Sequence, residues 1–141
     1  MEVLEKKDGL TISEEQARKD FEYFLKARRV TNRIREKNEE NESCIIDAIT
    51  EGLAIVSKDG SISQKLVFPT EGDKPITELN YKTRMSVDER SQAVKGIKAD
   101  DGEGRLRGYV AQLTNQPNGV IKKLESGVDY EIASSIASYF L

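Results

Sequence analysis

The chain has 141 residues, 22 basic and 25 acidic side chains and a net charge of -3, which is about one domain with no global basic field to hold nucleic acid. No apolar run nears the roughly 20 residues that span a bilayer, and the opening MEVLEKKDGL has no apolar signal core. There is no histidine or tryptophan, and the single cysteine, Cys44, has no partner for an internal disulfide, so a cytoplasmic protein is expected.

The first helix signal is TISEEQ. Ser13 and Gln16 have capping-box spacing, and Glu14 and Glu15 suit a helix N-terminus. Ala17, Phe21, Phe24 and Leu25 then share one face. Beyond Leu25 the stripe fades, and KARRVTNRIREKNEENE keeps only Val30 and Ile34 as large apolar residues. Its charges divide by sign, with Lys26, Arg28, Arg29, Arg33, Arg35 and Lys37 ahead of Glu39, Glu40 and Glu42. The pattern predicts one long helix over about residues 14–40. Residues 1–42 thus read as a charged N-terminal helical arm whose first turns dock and whose later turns are wet.

Ser43 is placed to cap a short helix, CIIDAITE, which Gly52 stops. LAIVSKDGSISQKLVF follows, with Asp59-Gly60 between two apolar-rich runs. That pair predicts a two-residue hairpin turn with positive φ at both positions. The strands are expected over residues 53–57 and 61–68, with Ile62, Leu66 and Phe68 on one face. PTEGDKP turns the chain again, and a third strand is expected over residues 76–84. Three strands with one apolar face need a helical cover. Ser86 and Glu89 form a capping box for a helix with Val87, Ala93, Val94 and Ile97 inside. ADDGEG reads as a loop. RLRGYVAQLTN places Leu106, Tyr109, Val110 and Leu113 at the spacing of one helix face. Pro117 opens a short helix ending near Leu124. Ser126 and Asp129 have cap spacing for the last helix, whose face is Tyr130, Ala133, Ile136, Ala137 and Phe140. The expected fold class is α+β: a three-stranded antiparallel meander covered by C-terminal helices in residues 43–141, with the long arm at the N-terminus.

Chemistry is sparse. The basic run 26–37 could contact phosphates, but its charges spread around the helix and no aromatic interleaves them. DDGEGRLRG has the wrong glycine spacing for a dinucleotide loop, and the glutamate that closes a calcium loop is absent. Cys44 has no histidine to activate it. Paired carboxylates abound, but none is expected beside a pocket, so none is assigned an acid–base role. No catalytic residue, cofactor or metal is expected. The feature left is apolar: Phe21, Phe24 and Leu25 at the start of a charged helix, and Tyr139 and Phe140 near the end. These five are the candidate partner-binding residues.

The order of elements from residue 43 onward carries a resemblance. EGLAIVSKDGSISQKLVFP is a short helix end, a hairpin and a lysine–apolar–proline strand. KPITELNYKTRMSVDE is a strand closed by a small residue that opens a helix. Ala111, Leu113, Thr114 and Pro117 form a helix end, and VDYEIASSIASYFL closes the chain with an acidic-aromatic start and a terminal Phe-Leu. This pattern resembles the small tail assembly chaperones of tailed bacteriophages, the branch of Mu-like and P2-like phages. The arm, residues 1–42, is longer than that family's pattern. The resemblance implies non-catalytic binding of the tape measure protein and recruitment of tail tube subunits in the host cytoplasm. It also implies absence from the mature virion. A homo-oligomer is compatible with this. The alternatives are a nucleic-acid-binding accessory protein using the basic helix 26–37, or a structural tail component.

Overall fold

The structure, a computed structural model, describes residues 12–141. The MEVLEKKDGL segment and the start of the expected arm lie outside the described residues. The fold is α+β, with seven α-helices and one three-stranded antiparallel sheet among the described residues.

The expected long helix is three helices. Helix α1 spans Glu14–Ala27 and begins as anticipated, with Ser13 Oγ accepting from Gln16 N at 3.1 Å. It stops at Arg28 in a Schellman closure: Val30 N donates to Leu25 O and Arg29 N to Lys26 O. Arg29 takes the left-handed conformation, φ 53°, where glycine is usual. Thr31 Oγ1 caps α2, Asn32–Lys37. Asn38 then breaks the chain before α3, Glu39–Thr50. Its buried amide donates to Ile34 O at 2.8 Å and accepts from Asn41 Nδ2. Glu39, Glu40 and Glu42 sit in the first turn of α3, where the helix dipole favours anions. Ser43 therefore lies inside α3 and caps nothing. The division expected between residues 42 and 43 also falls inside this helix.

The sheet has strands β1 (Ala54–Val56), β2 (Ile62–Lys65) and β3 (Glu78–Asn80), in that order. The register pairs Ala54 with Gln64 and Gln64 with Leu79, so Ala54, Val56, Ile62, Gln64 and Leu79 face inward. The hairpin turn differs from its expectation. Gly60 alone has positive φ there, 89°. Gly60 N donates to Ser57 O and Ser57 N to Ser61 O, which makes a three-residue loop with a glycine bulge. All three strands are shorter than expected. Past β3 the chain leaves the sheet, because Lys82 N donates to Leu113 O at 2.8 Å on a helix.

Helix α4 (Val87–Ala93) has the full capping box of Ser86 and Glu89. Its expected inner residue Val87 is 84% exposed. Helix α5 (Gly102–Thr114) is capped by Asp101, whose Oδ1 accepts from Gly104 N. Gly108, part of the DDGEGRLRG stretch, has a packing role. A Cβ there would lie 2.2 Å from Ala93 O, so the glycine lets α4 cross close to α5. Helices α6 (Asn118–Ile121) and α7 (Asp129–Ala137) follow, with a 3-10 turn at Ser138–Phe140. Helix α7 packs against both α3 and α5, α3 and α1 reach β1, and α5 reaches β3. The N-terminal helices thus share in covering the sheet, and the C-terminal helices do not cover it alone. Phe21, Phe24, Ile45, Leu79, Leu113, Ile121 and Ile136 are the largest fully buried apolar side chains of the common core.

Three carboxylates hold turns and caps. Glu125 accepts from Val128, Gly127 and Asp129 N–H groups, and this holds its pKa below the usual carboxylate range. Glu89 is lowered by Lys82, at 2.7 Å, and by Ser86 N. Asp59 is lowered by the backbone and hydroxyl of Ser61. A carboxylate with a depressed folded pKa stabilises fully above its unfolded value, and that stability is lost as pH falls through the folded one. The urea midpoint is therefore expected to hold above about pH 5 and to decline steadily below about pH 4. A midpoint unchanged down to pH 3 would contradict this.

Candidate functional site

Four of the five residues expected to meet a partner are buried. Phe21, Phe24, Leu25 and Tyr139 are at most 5% exposed, and Phe140 is half-buried. They pack on one another. Phe21 and Phe24 stack at 5.7 Å between centroids, and Tyr139 stands edge-on to both at 5.6 and 5.7 Å. Tyr139 OH donates to Asn38 O at 3.1 Å, and burial pushes its pKa up. The cluster is core, because the fold packs Tyr139 and Phe140 onto α1 and buries Phe21, Phe24, Leu25 and Tyr139.

The basic run is also reorganised. Arg28 turns inward, its guanidinium 4.0 Å from the Phe24 ring centroid and 4.6 Å from that of Phe140. Its Nη1 donates to Phe24 O and Gly60 O, both at 3.0 Å. Burial, with Arg84 nearby, pulls its pKa down to about 10 while Asp59 opposes this, so it remains charged at neutral pH. Arg35 is clamped by Glu42 through two bonds of 3.0 Å and reaches Glu22 at 3.1 Å. The break at Arg29 and these two engagements remove the continuous basic helix that phosphate binding would use. Cys44 is half-buried, with Sγ 3.9 Å from Glu131 O, and burial raises its pKa.

What is presented to solvent lies elsewhere. The outer sheet face carries Ile55, Ser63, Lys65, Glu78 and Asn80, and Ile55 is 57% exposed. Beyond β2 the chain shows Val67 and Phe68, the latter 53% exposed, and Val128 is exposed at the start of α7. Phe68 had been expected inside with Ile62 and Leu66. Asp129 explains the difference. Its fully buried carboxylate accepts from Val67 N at 2.8 Å and Phe68 N at 2.9 Å, which takes both N–H groups out of the strand ladder. Its carbonyl accepts from Gln64 Nε2 at 2.9 Å, and Gln64 Oε1 accepts from Tyr81 OH at 2.6 Å. Both Gln64 and Asp129 are fully buried, so the chain of bonds fixes β2 to α7 in a water-poor setting. Thr70 closes the next loop by accepting from Ile76 N and donating to Ile76 O. Phe68, Pro69 and Thr70 line a recess of about 630 Å³ with Lys123 and Glu125. The sequence signal for this site was weak, since Phe68 fits the alternation of an inward strand residue. Only the spacing-independent partner Asp129 reverses it.

Asp129→Ala is expected to cost about 2–4 kcal/mol, because two part-buried carboxylate bonds are lost and the Val67 and Phe68 N–H groups lose their protein acceptor. Thermal unfolding would report the loss. Amide exchange should accelerate at Val67 and Phe68 first.

Known protein families, curated proteins and solved structures give no match to this chain. Among the described residues no helix is long and apolar enough to cross a membrane. No group of three or more Cys, Asp or Glu side chains among them is placed to hold a metal ion. The apolar ledge of Val67, Phe68 and Val128, fixed by Asp129, is the strongest candidate site in the described molecule.

Proposed function

We propose that the chain is a non-catalytic assembly chaperone of the phage tail type, which binds the tape measure protein and tail tube subunits through the Phe68 ledge and the outer sheet face. The observation that carries this reading is Phe68, a large aromatic held half in water by a buried carboxylate on its own backbone. A ring held exposed beside the exposed Val67 and Val128 supports a contact role for this patch. Its surroundings, Glu71, Lys123 and Glu125, are charged, as the rim of a transient interface is. The resemblance of residues 43–141 supplies the partner class.

The test is co-expression with the tape measure protein, tagged for capture. Phe68→Ser is expected to leave the circular dichroism and unfolding midpoint nearly unchanged, since the ring is exposed. It should weaken capture by about tenfold or more, the loss of one interface anchor. Capture that survives both Phe68→Ser and Ile55→Ser would remove this surface from the reading. The chaperone role also requires the chain to be missing from purified particles by mass spectrometry.

A further inference from the structure

The proposed protein-binding role leaves open what chemistry the partner presents, and a second recess bears on it. Helix α5 supplies Leu106 and Arg107, the α6 region Ile121 and Leu124, and α7 Tyr130 to a groove of about 360 Å³. That volume is at the small end for ligand sites and suits one or two side chains. Its floor is apolar. Arg107 Nε is buried and has no hydrogen-bond partner among the described residues. Among the described residues no carboxylate lies within 4.0 Å of Arg107, and Glu103, one turn away, makes no ion pair with it. Arg28 Nε and Nη2 are also buried without an acceptor, but that guanidinium lies against the Phe24 and Phe140 rings. Arg107 has no such ring contact among the described residues, and a carboxylate is the acceptor whose geometry fits its fork.

We propose that this groove receives an acidic side chain, followed by an apolar one, from the partner segment that lies across Phe68. The two recesses share a wall. Lys123 and Glu125 line the Phe68 side, while Lys122, Leu124 and Ser126 line the groove side. A segment docked on Phe68 has only this one stretch of chain to cross before it reaches Arg107. The acidic residue meets Arg107 and the rim cation Lys122, and the apolar residue covers Leu106 and Leu124. Glu103 on the same rim disfavours a doubly charged phosphate, so a single carboxylate is the better match. The Tyr130 hydroxyl, with its pKa raised by burial, stays protonated and is a further donor on the groove wall. This inference rests on the protein-binding reading and names the recognised chemistry within it.

The test uses the full isotope-labelled chain in an NMR titration with the blocked peptide acetyl-Leu-Glu-Leu-amide, its glutamine counterpart, and phenylacetate as a free small acid. The glutamate peptide is expected to shift the Arg107 Nε–H and the Leu106 and Leu124 methyl signals. The glutamine peptide should bind about tenfold more weakly or worse. Arg107→Gln should erase that preference, while Arg107→Lys, which keeps the charge without the fork, should retain part of it. Preserved amide dispersion in each variant shows that the fold is intact. Equal binding of the two peptides, or a preference that survives Arg107→Gln, overturns the proposal. So does phenylacetate moving these signals where the peptide does not, which assigns the groove to a free acid. None of these readouts needs the tape measure protein, so a failure here is separate from a failure of the Phe68→Ser capture test.

Discussion

Serine at both Phe21 and Phe24 is expected to leave the chain unfolded at 25 °C. The two rings are 1% and 0% exposed, stack on each other and hold Tyr139 edge-on. Truncating one buried phenylalanine costs about 3–5 kcal/mol, and a serine hydroxyl buried without a partner adds to it. Two such losses approach or exceed the roughly 5–15 kcal/mol that a domain of this kind has in total. Near-UV circular dichroism should vanish and urea unfolding should lose its cooperative step. A variant that unfolds with the parental midpoint would mean that α1 sits outside the core, as an arm. Each single variant should remain folded, with a lower midpoint, and the two effects should not add because the rings touch.

Gly60→Val is the second large effect. Gly60 has φ 89°, a conformation that β-branched residues scarcely adopt, and a Cβ there would fall 2.2 Å from Ala27 Cβ and 2.8 Å from Tyr23 O. Both neighbours belong to α1, and one contact is with backbone, so the helix or the hairpin must move. The same shift pulls Gly60 O away from Arg28 Nη1, now at 3.0 Å. The cost is expected at about 4 kcal/mol or more, combining left-handed strain with overpacking, which corresponds to a melting temperature lower by more than about 10 °C. Gly60→Ala with Ala27→Gly should recover part of this, because the closest clash is removed while the φ strain remains. Gly119→Ala, in open space at ordinary φ, is the control and should change the midpoint little. Equal midpoints for Gly60→Val and Gly119→Ala would show that the hairpin does not press on α1.

Much of the fold was legible in the residues, because short-range chemistry set it. The Ser13 and Ser86 caps, the meander, and the face of Leu106, Val110 and Leu113 rest on neighbours within a few positions. Three features were not, and each depends on a distant partner or an unusual residue. The break after α1 uses Arg29 in a glycine conformation, so no glycine marked it. The short β2 is ended by a carboxylate from α7, far along the chain. The charged turns beyond Leu25 looked solvated, yet Arg28 is stabilised by an aromatic ring and by the carbonyl of Gly60. The candidate site illustrates the same limit. Exposed-looking aromatics on an amphipathic helix were core, and a core-looking strand residue, Phe68, was surface. Periodicity states which residues share a face and is silent on what lies against that face.

The hydrogen bond from Tyr139 to the carbonyl of Asn38 joins positions 101 residues apart, and the Asp129 carboxylate serves N–H groups more than 60 residues upstream. A nascent chain emerging from the ribosome cannot make either bond until residues 129–139 have been added and released from the exit tunnel. Helix α1 and the end of β2 must wait in an incomplete state, with Phe21 and Phe24 lacking Tyr139, for the α7 segment to arrive. Native structure then forms in one late, non-local step rather than piece by piece from the first helix.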